Sequence, residues 1–116
     1  MMFNIGIDIE EVSRFKKKDI ILLKKILSKD EMMYIKKFDP RRIAGIFSAK
    51  EAVIKACNPI KKLQFNNIEI FHNKDGSPYA VLRKCKNISS KDLKISISHS
   101  KDYAVAAAIL LMGGKN

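Results

Sequence analysis

The fold of this protein is organised around the stretch Phe47-Ser48-Ala49-Lys50-Glu51-Ala52-Val53-Ile54-Lys55-Ala56. The run favours a helix and sets one carboxylate between two lysines. On a helix, Glu51 and Lys55 project from one face about a turn apart, whereas Lys50 points away from that face. Spacing alone leaves two interpretations open. The pair is either an exposed ion pair contributing about 0.3 to 0.5 kcal/mol, or part of a site that holds a cation and an anion side by side.

Flanking signals place this stretch at the end of a long helix. Asp39 is a good N-cap and Pro40 suits the first helical position. Asn58 can take the left-handed conformation that ends helices, and Pro59 cannot continue one. We therefore predict a helix from Pro40 to Cys57 as the central core element. Its apolar stripe consists of Ile43, Ile46, Phe47, Ala49, Val53, Ile54 and Cys57.

The amino-terminal segment alternates apolar and polar residues with a period of two. Phe3, Ile5, Ile7 and Ile9 alternate with Asn4, Gly6, Asp8 and Glu10. This pattern predicts a half-buried strand with its acids on the face opposite the isoleucines. Asp8 lies near the end of that strand, and Gly6 leaves the backbone open to close approach by another element or a ligand.

The remaining segments predict an α+β domain. Residues 19–27 have helical spacing, and Ser28 with Glu31 forms a capping box for a second helix. Residues 65–71 and 79–82 read as a hairpin around the turn at 73–78. Residues 93–98 and 103–111 read as strands joined by a turn at 99–102. We expect a small antiparallel sheet packed on the long helix.

Length and charge suit one domain spanning residues 1–116 with an anionic partner. There are 23 Lys and Arg against 12 Asp and Glu, for a formal net charge of +11. Such a surface attracts nucleic acid, acidic proteins, anionic membranes or phosphate-rich small molecules, although a lysine-rich composition also follows from a biased genome. A chain this short has little stability margin. Oligomerisation is therefore expected, and a deep catalytic cleft is easier to build between subunits.

The cysteines and the amino terminus indicate a cytoplasmic protein. Cys57 and Cys85 show neither zinc-ligand spacing nor a disulfide framework, so both are interpreted as buried thiols. The first apolar run has no basic flank and meets Asp8, which argues against a signal peptide. Apolar runs are also too short to cross a bilayer.

Asp8 and Glu51 are the acids whose surroundings least resemble a solvated face. Two carboxylates converging from a strand end and a helix suit Mg²⁺, with Lys55 placed to meet substrate phosphates. Asp8 could equally be a turn former at a strand end. His99 lies between two predicted strands, where a lone histidine is more often structural than functional. Neither a nucleophile elbow nor a Walker or GxGxxG loop is present.

Three segments together resemble the holo-[acyl-carrier-protein] synthase family of 4′-phosphopantetheinyl transferases. They are Gly6-Ile7-Asp8-Ile9-Glu10-Glu11-Val12 with Arg14, Ala44-Gly45-Ile46-Phe47-Ser48-Ala49-Lys50-Glu51-Ala52 with Lys55-Ala56, and Ile95-Ser96-Ile97-Ser98-His99-Ser100 with Tyr103-Ala104. The resemblance covers almost the whole chain. It implies Mg²⁺-dependent transfer of 4′-phosphopantetheine from coenzyme A to a serine of apo acyl carrier protein, as in lipid biosynthesis. It also implies a homotrimer with active sites at subunit interfaces.

The resemblance also implies roles for individual residues. Asp8 and Glu51 would hold Mg²⁺ on the coenzyme A diphosphate, and Lys55 would stabilise that diphosphate. Glu51, directly or through a metal-bound water, would take the proton from the attacking serine. The residues implied to hold the nucleotide are Ser98, His99 and Ser100, with the backbone around Ser77 and Pro78. Those implied to meet the acidic carrier protein are Arg14, Lys16, Lys17 and Lys18.

The chain departs from the family pattern at two places. Family members commonly carry a basic residue where this chain has Ile46, and a Gly-rich turn where it has Asn58-Pro59. The candidates to replace the missing basic residue are Arg41, Arg42 and Lys50. A basic nucleic-acid-binding module is the alternative function. It is disfavoured because the chain has no Trp and no aromatics spaced for base stacking, and because acids rather than bases stand at the loop ends.

Overall fold

The longest helix lies across a three-stranded antiparallel sheet in a computed structural model that describes residues 2–16, 20–35 and 38–112. The helices are α1 (Ile20–Ile26), α2 (Lys29–Tyr34) and α3 (Pro40–Cys57). The strands are β1 (Met2–Glu11), β2 (Ile68–His72), β3 (Pro78–Leu82), β4 (Leu93–Ser100) and β5 (Tyr103–Met112). Short 3₁₀ turns occur at Val12–Phe15, Phe65–Asn67 and Ser90–Asp92. The predicted α+β class is confirmed.

Helix α3 begins and ends where its local signals predict, but its C-terminal cap differs from the predicted one. The Asp39 carboxylate accepts the Arg41 N–H at 2.9 Å, as expected of an N-cap. The expected left-handed Asn58 is wrong, because its φ and ψ are −52° and −40°. The Cys57 carbonyl instead accepts the N–H groups of Ile60 and Lys61 at 2.9 and 3.0 Å. A tight turn around Pro59 therefore satisfies the helix end without a left-handed residue.

The two sheets carry the segments that contribute to the candidate site. The first has the strand order β1-β5-β4, with Asp8 opposite Ala106 and His99 opposite Ala104. The second is the β2–β3 hairpin, which lies beside β4. Strand β4 continues to Ser100, so the expected turn at 99–102 is shorter than predicted. Small residues on β5, including Ala104, Ala106 and Ala108, are buried and let α3 pack close to the sheet.

Strand β1 turns its polar face, rather than its apolar face, towards α3. Phe3, Ile5, Ile7 and Ile9 are 55–59% exposed. Gly6 and Glu10 on the other face are buried, and Asn4 and Asp8 are half-buried. The predicted inward apolar face is therefore wrong, although the period of two is correct. The reason is steric, because only the glycine-containing face can approach the α3 backbone.

Gly6 is the point of closest approach between β1 and α3. A Cβ built at Gly6 would lie 1.9 Å from the Ala52 carbonyl oxygen and 2.7 Å from the Ala56 nitrogen. Both contacts are with backbone, which cannot move aside as a flexible side chain can. The predicted close approach at this glycine is confirmed.

We expect the Gly6→Ala variant to lose about 3 kcal/mol of unfolding free energy, because overpacking against rigid backbone costs at least that order. The glycine has ordinary extended backbone, so alanine would by itself gain about 0.4 to 1 kcal/mol through the unfolded chain. The steric term is larger and decides the sign. Urea unfolding measures it, and a change within 0.5 kcal/mol would contradict this packing.

A buried ion pair joins α3 to the α1–α2 turn. The capping box of α2 forms as predicted, since Glu31 Oε1 accepts the Ser28 N–H at 2.8 Å and Ser28 Oγ accepts the Glu31 N–H at 3.2 Å. Lys50 Nζ lies 2.7 Å from Glu31 Oε1 and donates to the Ile26 carbonyl at 2.8 Å. Both side chains are at most 1% exposed. Lys50 is therefore a core residue, and it cannot replace the basic residue that the family commonly carries at the position of Ile46.

Within the described ranges, no helix is long and apolar enough to cross a membrane.

Candidate active site

The first part of the site is a carboxylate cluster, which consists of Asp8, Glu10 and Glu51. Strand β1 supplies Asp8 and α3 supplies Glu51. The two elements are joined because Ser48 Oγ donates to the Asp8 carbonyl at 2.9 Å. Lys55 Nζ donates to the Ile7 carbonyl at 2.9 Å and lies 3.4 Å from Asp8 Oδ1. Lys55 therefore forms its ion pair with Asp8. It does not form the surface ion pair with Glu51 that the spacing allowed.

Glu10 is a member of the cluster that the sequence analysis missed. Its side chain is 9% exposed, and Oε1 accepts a hydrogen bond from Arg14 Nη1. Burial, a side-chain hydrogen bond with Asp8 and repulsion by the Asp8 charge raise the pKa of Glu10 to about 7. The available signal was the period of two, which puts Glu10 on the same face of β1 as Asp8.

The cluster has an excess of negative charge in a partly buried environment. Burial and the Asp8 charge raise the pKa of Glu51, and Lys55 and Arg14 oppose that shift. With the carboxyls ionised, Asp8 Oδ2 is buried without a hydrogen-bond partner among the described residues. Such an oxygen needs either a proton from a neighbour or a cation. Asp8 and Glu51 therefore offer hard oxygen ligands that fit a divalent ion.

The described residues form no complete group of three metal-ligating side chains. Mg²⁺ commonly binds through one or two carboxylates, with water and substrate phosphates completing the shell. The pair of carboxylates from Asp8 and Glu51 is consistent with that mode.

The pKa of Glu10 predicts how stability changes with pH in the metal-free protein. Between about pH 4.5 and pH 7 the folded protein keeps a proton on Glu10 that the unfolded chain has released, so stability falls as the pH rises. In the Glu10→Gln variant, we expect the free energy of unfolding to fall less over this pH range, by on the order of 2 kcal/mol. Urea unfolding with a chelator at several pH values between 5 and 8 tests this. Parallel stability curves for the two proteins would show the prediction to be wrong.

The second part of the site is a basic cleft between the first half of α3, β4 and the β2–β3 turn. Its volume is about 320 Å³, which lies at the lower end of the range of about 300 to 1,000 Å³ that is typical of small-molecule pockets. Its lining includes Tyr34, Asp39, Arg41, Arg42, His72, Pro78 and His99. Gly45 and Ile46 form part of its floor, and Ile46 is 1% exposed. Glu51 lies six positions after Gly45 on α3, so the cleft and the cluster lie roughly 9 Å apart along the helix.

His99 is placed by α3. Its Nε2 lies 2.9 Å from the Arg41 carbonyl oxygen, which can only accept, so Nε2 carries the proton. A Cβ at Gly45 would lie 3.0 Å from the same nitrogen, and the missing side chain therefore makes room for the imidazole. His99 and Pro78 both line the cleft.

The three predicted serines lie near the cleft, but their side chains have different surroundings. Ser98 and Ser100 are exposed on β4 on either side of His99. Ser77 Oγ is 2.6 Å from Asp75 Oδ1 and 3.0 Å from Asn73 Nδ2, so its hydroxyl stabilises the hairpin turn.

Arg14 lies at the outer edge of the carboxylate cluster. Its Cζ is 5.3 Å from the centre of the Phe15 ring and 5.4 Å from that of Phe47, and half of its side chain is exposed. Lys16 is exposed just beyond it. Lys17 and Lys18 lie outside the described residues.

Comparison with known proteins identifies the family. A profile of the 4′-phosphopantetheinyl transferase superfamily matches residues 4–108. The holo-[acyl-carrier-protein] synthase of Caldicellulosiruptor bescii is 43% identical over 118 residues, covering 94% of this chain and 98% of the relative. The crystal structure of Helicobacter pylori holo-[acyl-carrier-protein] synthase in complex with coenzyme A aligns with a TM-score of 0.80 at 35% identity, over 92% of this chain and 99% of that one.

A second structure gives the same result. The Bacillus anthracis holo-(acyl-carrier-protein) synthase, in complex with CoA (3′,5′-ADP), aligns with a TM-score of 0.72 at 32% identity, over 92% of this chain and 94% of the other. The resemblance found in the sequence is confirmed, and this chain belongs to the 4′-phosphopantetheinyl transferase superfamily.

Proposed function

We propose that this protein transfers 4′-phosphopantetheine from coenzyme A to a serine hydroxyl of an apo acyl carrier protein. The products are the holo carrier protein and adenosine 3′,5′-bisphosphate, and the reaction requires Mg²⁺. Family membership supports the reaction class. The observation that carries the proposal is the meeting of Asp8 and Glu51, from separate elements, beside a lysine and next to a basic cleft of nucleotide-compatible size.

Asp8 and Glu51 are the residues that would hold Mg²⁺. The buried Asp8 Oδ2, which has no partner among the described residues, and the raised pKa of Glu51 both indicate a place that a cation would stabilise. When bound, Mg²⁺ would polarise a phosphoryl oxygen and offset charge on the leaving group. Glu10 lies beside this pair, where it accepts a hydrogen bond from Arg14.

Glu51 is our proposed general base. Its raised pKa makes the carboxylate a better proton acceptor near neutral pH than an exposed glutamate. The serine proton would pass to Glu51 as the hydroxyl oxygen attacks the phosphorus bearing the pantetheine, and the adenosine bisphosphate would leave with the bridging oxygen. Lys55 is half exposed and has its Nζ beside Asp8, which suits a contact with the diphosphate.

Two groups of residues would bind the two substrates. His99 and Pro78 would hold the nucleotide, with Ser98, Ser100 and Ser77 nearby on the same two elements. The residues proposed to meet the acidic carrier protein are Arg14, Lys16, Lys17 and Lys18. The formal net charge of +11 favours that encounter through long-range attraction.

We also propose that the protein is a cytoplasmic homotrimer with active sites at subunit interfaces. The exposed apolar row of β1, Phe3, Ile5, Ile7 and Ile9, supports self-association, because a row of large exposed apolar side chains is unusual on a monomer. Sedimentation equilibrium measures the stoichiometry. A monomer at micromolar concentration would remove this part of the proposal.

Mass spectrometry tests the reaction directly. An apo carrier protein is incubated with this protein, coenzyme A and Mg²⁺, and a phosphopantetheine mass gain on the carrier is the expected result. Omitting Mg²⁺ and adding a chelator should prevent the gain. No gain with any carrier protein would remove the proposed reaction, and a salt-dependent gel shift with DNA or RNA would then favour nucleic-acid binding.

A further inference from the structure

Ser48 places a buried hydroxyl on the face of α3 that packs against β1. The residue is 0% exposed, as are Ala44 and Ala52, which lie about one helical turn before and after it. A buried hydroxyl costs free energy unless it is hydrogen-bonded, and alanine is the better helix former. A serine in this row of alanines therefore requires a compensating interaction.

The compensating interaction is made with a different element. A serine inside a helix commonly donates to the carbonyl four positions earlier in the same helix. Ser48 Oγ donates across to β1, where it lies 2.9 Å from the Asp8 carbonyl oxygen. Lys55 Nζ donates to the adjoining Ile7 carbonyl, also at 2.9 Å. Two neighbouring carbonyls of β1 are therefore held by side chains that lie about two turns apart on α3.

The Ser48 hydrogen bond connects the two carboxylates that would hold Mg²⁺. Glu51 lies three positions after Ser48, so the two side chains share one side of α3. The bond therefore fixes the backbone of Asp8 against the helical turn that carries Glu51. Mg²⁺ demands a nearly ideal octahedral arrangement of its ligands, and functional groups in such sites are held to within about 0.5 Å. The separation of the two carboxylates is thus a property that this bond can set.

Other contacts keep β1 in the fold without Ser48. The strand pairs with β5 along its full length, from Met2 to Glu11. Gly6 lies directly against the α3 backbone, two residues before Asp8. Removing one hydroxyl should therefore leave the strand in place, while the Asp8 backbone becomes free to shift relative to Glu51.

We infer that Ser48 is a positioning residue, which sets the separation of the Asp8 and Glu51 carboxylates for Mg²⁺. This rests on the proposed function, in which both carboxylates hold that ion on the coenzyme A diphosphate. Ser48 is fully buried and its hydroxyl is committed to the Asp8 carbonyl, so it acts through Asp8. Its loss should weaken the contribution of the metal to coenzyme A binding and spare the metal-independent contribution.

Calorimetry tests this without any transfer reaction. Coenzyme A is titrated into the protein in the absence of a carrier protein, once with Mg²⁺ and once with a chelator, and the ratio of the two affinities measures the contribution of the metal. We expect Ser48→Ala to lower this ratio roughly 10-fold, the lower end of the usual loss when a group that supports a metal ligand is removed. The affinity measured with the chelator should be almost unchanged.

Ser90→Ala is the matched control. Ser90 Oγ accepts the Leu82 N–H at 2.9 Å beside the hairpin, so alanine there also removes one hydrogen bond between a hydroxyl and the backbone, and it should leave the ratio unchanged. An unchanged ratio in Ser48→Ala, or equal weakening with Mg²⁺ and with chelator, would overturn the inference. The two proposals fail separately. Transfer by the unmodified protein with an unchanged ratio in Ser48→Ala removes only the role of Ser48, whereas a lowered ratio without transfer by the unmodified protein removes only the reaction.

Discussion

The Glu51→Gln variant should lose transfer activity by about 10²- to 10⁴-fold, because glutamine cannot accept the serine proton and is a poorer ligand for Mg²⁺. The substitution keeps the size and shape of the side chain. It also removes a charge that burial and Asp8 disfavour, as the raised pKa of Glu51 shows. We therefore expect the metal-free variant to be as stable as the unmodified protein or slightly more stable.

The opposite movement of activity and stability distinguishes a catalytic role from a structural one. Turnover is measured as mass gain on the carrier protein, and stability is measured by thermal unfolding with a chelator. Glu11→Gln is a suitable control, because Glu11 is exposed on the other face of β1. Asp8→Ala should also abolish transfer with the fold retained. Normal turnover by Glu51→Gln would remove the proposed base.

The Lys50→Met variant should be destabilised by about 3 to 5 kcal/mol, because it leaves Glu31 buried without its cation. Burial lowers the pKa of Lys50 and the nearby Glu31 charge opposes that shift, so the pair depends on both partners. Glu31 also accepts the backbone N–H groups of Ser28 and Ile70 at 2.8 and 2.7 Å. Loss of the lysine therefore weakens the junction of α3, the α1–α2 turn and β2.

A double-mutant cycle separates the ion pair from simple loss of packing. In Lys50→Met with Glu31→Gln no unpaired charge remains, and we expect the two changes together to cost less than the sum of the singles. Urea unfolding gives the four free energies. Additive losses would show that the pair contributes through packing rather than through charge.

Several elements were predictable because their causes are local. Asp39-Pro40 and the apolar stripe predicted the bounds of α3, and Ser28 with Glu31 predicted the start of α2. Those signals act through contacts within one helical turn, so they do not depend on the rest of the fold.

Other features depended on which distant element packs against a residue. The period of two in β1 was evident, but which face turns inward was decided by the close contact of Gly6 with Ala52. Lys50 forms a buried ion pair with Glu31, which lies nineteen positions earlier in the chain. The residue spacing within α3 could not predict that partner. Glu10 likewise gained its role only from burial beside Asp8 and from Arg14.

The sequence by itself determined the elements, the family resemblance and the pairing of Asp8 with Glu51 as the candidate centre. Only the tertiary structure decided that Lys50 is buried, that Lys55 pairs with Asp8, and that Arg41 and Arg42 share a cleft with His99. The physical reason is the range of the interactions. Caps and periodicity act within a few residues, whereas burial and charge pairing depend on packing between elements far apart along the chain.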